Sequence, residues 1–326
     1  MVRAQQLAFL FLFLPAFWGC SDSASTAGWE PPSDADSLSI TLESAERSDA
    51  FVSAVQVLEA IENDSSWIII DVRKVEEFAA GHLPSAHRLW RNDIESSEFP
   101  YGGMAIEKEA LEAILSSFGA TSQSKFVVYD AIGGCDAARL WWLIRLYGHR
   151  SVALLDGGWQ VWQALDHPAV QAETPKKHAK FTFTQGADSS LIVSKDQLMS
   201  LRTQPDVILV DTRTLEEYNG SIQKPGAFAA GHIPGSVHFD WGRSVDMAGD
   251  YRLQAPEAIL QDLEEVGITP DKTVITYCHS GVRSAHTTLV LRELLGFEHV
   301  HNYDGSWIEW SYALHPSKDS IENELQ

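Results

Sequence analysis

The chain has 326 residues, 44% hydrophobic and 10% aromatic, with a formal net charge of −21. Its length and apolar content suit two folded domains, each burying a core of its own, and argue against a disordered chain. The acidity excludes nucleic acid as a partner, since phosphate binding needs a basic face, and is read as a solubility feature.

At the N-terminus Arg3 precedes a mostly apolar stretch from Leu7 to Trp18 that closes in Phe17-Trp18-Gly19-Cys20. This reads as a signal peptide over residues 1–20, too short to span a bilayer as an ordinary helix. Its Gly-Cys end resembles the lipobox of bacterial lipoproteins, with Phe17 where that box carries Leu. The resemblance implies lipidation of Cys20 and export to the cell envelope or periplasm as a membrane-anchored lipoprotein, with no other membrane contact. Ordinary signal-peptidase cleavage and an uncleaved anchor are the alternatives. Residues 21–49, rich in Ser, Asp and Pro, read as a flexible tether.

From about residue 50 one unit is written twice. Ser53-x-x-Gln56 and Ser194-x-x-Gln197 are capping boxes that open helices. Each is followed by a buried-strand run ending in Asp-x-Arg, at Trp67 to Arg73 and at Val207 to Arg213. Each strand leads to Glu-Glu-aromatic and then to Gly-His-x-Pro, at Gly81 to Pro84 and Gly231 to Pro234. Asp71 to Pro84 spans 13 positions and Asp211 to Pro234 spans 23, so the second copy has a ten-residue insertion around 221–228. Tyr129-Asp130 matches Tyr277-Cys278, and Asp156 to Trp159 matches Asp304 to Trp307, both 148 positions apart. A repeat this coherent implies duplication. The expected architecture is α/β: two tandem domains, 50–168 and 190–313, each a mainly parallel sheet flanked by helices. Residues 169–189 are the linker and 314–326 a polar tail.

The chemistry concentrates in Cys278-His-Ser-Gly-Val-Arg-Ser284, between the β-prone run Thr273 to Tyr277 and a helical pattern bearing Leu289, Leu291, Leu294 and Leu295. A strand-loop-helix of this kind wraps backbone N–H groups around a helix N-terminus and favours an anion there. A cysteine in that cradle, close to Arg283, ionises more easily than a free thiol and serves as a nucleophile. A lone Cys is more often a buried packing residue. Gly281, which permits the turn, and the guanidinium five positions after the sulfur weigh against that here.

These residues, with Asp71-Val-Arg73, Asp211-Thr-Arg213 and Tyr303-Asp-Gly-Ser-Trp307, resemble the rhodanese superfamily, specifically its tandem thiosulfate and 3-mercaptopyruvate sulfurtransferases. The resemblance covers about residues 50 to 313. It implies that Cys278 takes sulfane sulfur from a small donor, becomes a persulfide, and yields it to a nucleophilic acceptor such as cyanide or a thiol, with neither metal nor organic cofactor. His279, Ser280, Gly281, Val282, Arg283 and Ser284 are the candidate substrate-binding residues, with Arg213 adding positive potential. Asp130 stands at the nucleophile position of the first copy, which therefore reads as structural, and Cys135 reads as a packing residue. Phosphatases of related logic use a longer loop; Cys278 and Arg283 enclose only four residues, which suits a single sulfur atom better.

Thiosulfate is the favoured donor, the dianion being helped by Arg283 and a protonated His279. Mercaptopyruvate is the alternative, with Ser280 as a matching serine and His82 with Asp71 as a proton relay. From another class, a persulfide carrier or sensor with little turnover is the competing reading. His82 and His232, like Arg73 and Arg213, recur in both copies, which favours structural hydrogen bonds and ion pairs for all four. No Cys/His spacing suggests zinc and no Gly-rich phosphate loop occurs.

Overall fold

The computed structural model describes residues 48–64 and 66–314. The expected leader with Cys20, nearly all of the tether and the tail beyond Leu314 lie outside these residues.

In the first half the chain runs β1 (Phe51–Val52), α1 (Ala54–Asn63), β2 (Trp67–Asp71), α2 (Val75–Ala80), β3 (His87–Arg88), α3 (Lys108–Ser117), β4 (Lys125–Tyr129), α4 (Cys135–Leu146), β5 (Val152–Leu155) and α5 (Gly158–Ala164). The second half repeats the order as β6 (Ile192–Val193), α6 (Lys195–Leu201), β7 (Val207–Asp211), α7 (Leu215–Tyr218), β8 (Val237–His238), α8 (Pro256–Glu265), β9 (Thr273–Tyr277), α9 (Val282–Leu289), β10 (Val300–Tyr303) and α10 (Ser306–Leu314).

Each half forms a five-stranded sheet, ordered β1-β5-β4-β2-β3 and β6-β10-β9-β7-β8. Every pairing is parallel. Helices cover both faces, which is why the central strands read as unbroken apolar runs. Both capping boxes form: the Ser53 and Ser194 hydroxyls accept the N–H of Gln56 and Gln197, whose side chains accept the serine N–H at 2.8 Å.

The packing is in three parts. One apolar cluster lies on the outer face of each sheet, around Trp162 in the first half and Trp307 in the second. The third is continuous through both halves and joins Trp141, Trp142 and Leu143 to Leu289, Val290 and Leu291. It is built where α4 packs on α9, the two helices that follow the two strand-end loops. The linker is strapped to this body, for Phe181 and Phe183 are buried in the shared cluster although their surroundings in sequence are polar. Two mirrored hydrogen bonds clasp the halves together: Ala105 N–H to Asp304 at 2.8 Å, and Leu253 N–H to Asp156 at 3.2 Å.

One helix departs from the sequence reading. The pattern predicts an α-helix through Leu295, but α9 ends at Leu289 and residues Val290–Leu294 form a π turn, with Leu295 N–H reaching Val290 O at 3.0 Å. The Arg292 guanidinium, bonded to the carbonyls of Ser190 and Val300 at 3.0 and 2.9 Å, ties that wider turn to the sheet edge. Among the described residues no helix is long and apolar enough to cross a membrane.

Candidate active site

At the carboxyl end of β9 the chain turns through Cys278 to Gly281 into α9. Gly281, at φ +76°, caps the helix in the left-handed region. A Cβ there would stand 2.7 Å from Arg139 Nη1 and 2.8 Å from the Asp304 carbonyl, so only glycine fits. The loop is held from outside. Trp307 N–H binds the Cys278 carbonyl at 3.0 Å and Ile308 N–H the His279 carbonyl at 3.1 Å. The Ser306 hydroxyl accepts N–H groups of Cys278 and Gly281 at 3.1 and 3.0 Å and donates to the Tyr303 carbonyl at 2.9 Å. Ser306 is itself strained, at φ +51°, and the hydroxyl that links three backbone groups holds it there.

Cys278 is only 1% exposed. Burial is the largest influence on its thiol and pushes the pKa up. Arg283, the Ser284 hydroxyl at 3.5 Å and the N–H groups of Ser284 and Ser280 together pull it below the ordinary thiol value. Arg283 acts there as half of a pair, since its guanidinium grips Glu217 in bidentate fashion at 2.6 and 2.9 Å. Burial raises the Glu217 pKa, but the Arg283 bonds outweigh it and hold the carboxyl at about 2. The ten-residue insertion folds over this loop. Residues 221–226 are exposed, yet His279 Nε2 lies 3.0 Å from the Pro225 carbonyl.

The matching loop of the first half has kept a cradle and filled it. Asp130 Oδ1 accepts N–H groups of Ile132 and Gly134, both at 2.9 Å, and Oδ2 those of Asp136 and Ala137 at 2.9 and 3.2 Å. Burial is the larger influence and leaves the Asp130 pKa above the ordinary carboxylate value, although the four amides pull it down. Four donors converging on both oxygens are what an ionised carboxylate satisfies. Cys135 stands where the other loop has Arg283, and burial pushes its thiol well up, as expected of a packing residue.

The sequence matches the rhodanese-like domain twice, over residues 53–165 and 194–313. The chain belongs to the rhodanese-like family. A thiosulfate sulfurtransferase of Pseudomonas aeruginosa is 35% identical over 244 residues, 74% of this chain and 87% of that protein. Those of Azotobacter vinelandii and Corynebacterium glutamicum are 33% and 30% identical, covering 74% and 82% of this chain and 87% and 86% of theirs. In fold, the chain is similar to the anaerobic ergothioneine biosynthesis enzyme of Chlorobium limicola, solved with trimethyl histidine, at TM-score 0.71 and 24% identity over 81% of this chain and 68% of that one.

Within the second rhodanese-like domain, His279, Ser280, Gly281, Val282, Arg283 and Ser284 line the Cys278 loop. Two expectations need correction, while Arg213 makes the expected ion pair. It binds its own Asp211 at 2.6 Å and the Gly231 carbonyl at 2.7 Å and lies on Trp307, as Arg73 binds Asp71 and Gly81 and lies on Trp159 in the silent domain. His279 is not a cation at neutral pH, since burial foremost, then Lys224, pushes its pKa down to about 4. Its Nε2–H donates to Pro225. His82 and Asp71 form no relay across the interface. His82 Nδ1 lies 2.9 Å from the Phe78 carbonyl with the ring stacked on Phe78, while Asp71 is occupied by Arg73 and Tyr129.

Three contributors escaped sequence reasoning. Glu217 was visible only as half of a repeated Glu-Glu-aromatic motif. Ser306 lies in the quoted Tyr303 to Trp307 motif, and its role shows only in the strained backbone. Arg139, on α4 of the other rhodanese-like domain, reaches the loop from across the interface at the Gly281 carbonyl, 3.3 Å away.

Proposed function

We propose that the chain is a thiosulfate sulfurtransferase working through a persulfide on Cys278. The thiolate attacks the outer sulfur of thiosulfate, the S–S bond of the donor breaks, and sulfite leaves with the electron pair. Cyanide or a thiol then attacks the terminal sulfur of the persulfide, and the Cys278 thiolate is the leaving group. No outside oxidant or reductant enters either step.

The observation that carries this reading is the pair of loops. By the 148-residue register, the four amides on Asp130 correspond to those of Ser280, Val282, Ser284 and Ala285. Ser280 and Ser284 already point at the Cys278 sulfur. Val282 and Ala285 are left for a second sulfur, and the Asp130 carboxylate is an image of the persulfide anion they would hold. Lys224, exposed on the inserted loop and close enough to act on Glu217 and His279, supplies charge for a dianionic donor.

Incubation with thiosulfate and cyanide is expected to give thiocyanate, and Cys278→Ser to abolish it. Undiminished turnover in that variant would falsify the assignment. Faster turnover with mercaptopyruvate would change the donor, and a stoichiometric persulfide without multiple turnover would make the protein a carrier.

The reading also includes export and anchoring through Cys20, supported by the apolar leader and its Gly-Cys end. The expected intact mass is that of a chain beginning at an acylated Cys20; a mature chain lacking acyl groups there removes this part.

A further inference from the structure

We propose that Arg139, on the silent domain, is a positioning residue for the Cys278 loop: it holds the Gly281 carbonyl outward and so keeps the Val282 N–H turned toward the transferred sulfur. The inference rests on the persulfide reading and adds to it a role for the domain that has no nucleophile.

Arg139 is 1% exposed, and its guanidinium joins the two domains. Nη1 bonds to Asp304 at 2.5 Å and to the Gly281 carbonyl at 3.3 Å, and Nη2 to the Gly103 carbonyl at 3.0 Å. Asn302 Nδ2 holds the same Gly281 carbonyl at 3.3 Å from within the catalytic domain. A trans peptide sets the carbonyl of one residue antiparallel to the N–H of the next. Two donors pulling the Gly281 oxygen to the outside therefore turn the Val282 N–H to the inside. Gly134, which matches Val282 in the silent loop, has its N–H on the Asp130 carboxylate at 2.9 Å. The segment Arg139 grips is a wall of the site, for a Cβ on Gly103 would meet the side chain of Ser280 at 2.5 Å. The position that matches 139 by register is Thr287, which carries no guanidinium.

The test uses the whole chain carrying Arg139→Lys, which keeps a cation beside Asp304 but lacks the fork that spans both carbonyls. Two readings are taken on folded protein: the pH profile of Cys278 alkylation, and kcat and KM for thiocyanate formation. One lost hydrogen bond to a charged group predicts a kcat about tenfold lower and an apparent thiol pKa about one unit higher, with KM for thiosulfate changed much less. A change in melting temperature with both readings at their wild-type values overturns the proposal. Asn302→Ser, which loosens the same carbonyl from the other side, must move both readings in the same direction. If it moves neither, the proposal also fails. Wild-type protein that forms no thiocyanate refutes the persulfide reading instead, because alkylation still reports on the loop.

Discussion

Two loops, 148 positions apart in one chain, solve the same electrostatic problem in opposite ways. Both aim amide hydrogens into a pocket at the end of a central strand. The silent loop carries its own anion: the Asp130 carboxylate takes four amides and leaves no place for a guest. The active loop leaves the position to a sulfur whose charge can come and go, and steadies it with a guanidinium balanced by Glu217. The two loops differ at the position of Asp130 and Cys278 and also where Cys135 stands for Arg283 and Asp136 for Ser284, on one shared scaffold.

The comparison breaks most sharply at the loop glycines. Gly281→Ala forces a left-handed residue against Arg139 and the Asp304 backbone, and is expected to lower turnover by at least about a hundredfold, since it displaces the amides themselves. Gly133→Ala carries comparable strain, at φ +63° with a Cβ 2.6 Å from Val245 Cγ1, but disturbs the silent loop. It should lower the melting temperature and leave kcat of the folded protein within about twofold. Steady-state rates and thermal melts on both variants decide, and equal losses of kcat would end the distinction.

A smaller effect is expected from Asp130→Ala. Stranding four buried amides destabilises by about 2–4 kcal/mol, visible in denaturant unfolding, while thiocyanate formation per folded molecule stays close to wild type.

Acid gives the smallest and most discriminating difference. Burial foremost pushes His286, in the second half, and His87, in the first half, down to about 4 from an ordinary 6.5. The unfolded chain takes up these protons first, so the stability they confer is whole above pH 6.5 and is lost as pH falls through 4. Asp136 in the silent loop works the other way. Burial, then Asp130, raise it to about 6, so the folded chain takes up its proton first and gains stability as pH falls below that value. These three groups together give a net loss at pH 5 on the order of 2 kcal/mol. His286→Leu should flatten the pH dependence of melting and Asp136→Ser should steepen it; shifts of the same sign would contradict this account.

What could be read from the sequence was local or repeated. Capping boxes, apolar strands and the strand-loop-helix around Cys278 depend on residues within a few positions of one another, and duplication printed each of them twice. The remainder depended on distance. Arg139 sits in Ala137-Ala138-Arg139-Leu140-Trp141-Trp142, where it looks like a misplaced charge until folding brings Gly103, Gly281 and Asp304 to it. His279 looked like a cation because nothing in its neighbours reveals that Pro225, from the insertion, covers it. Arg213, by contrast, was legible as half of an ion pair, because Asp211 lies two positions away and the pair is written twice.

The apolar cluster that runs unbroken from Trp141 to Leu291 has an evolutionary corollary. Once the ancestral pair had fused their interiors, neither descendant could be deleted without laying open the inside of its twin. A half that contributes no nucleophile is therefore still needed to cover the interior of the other.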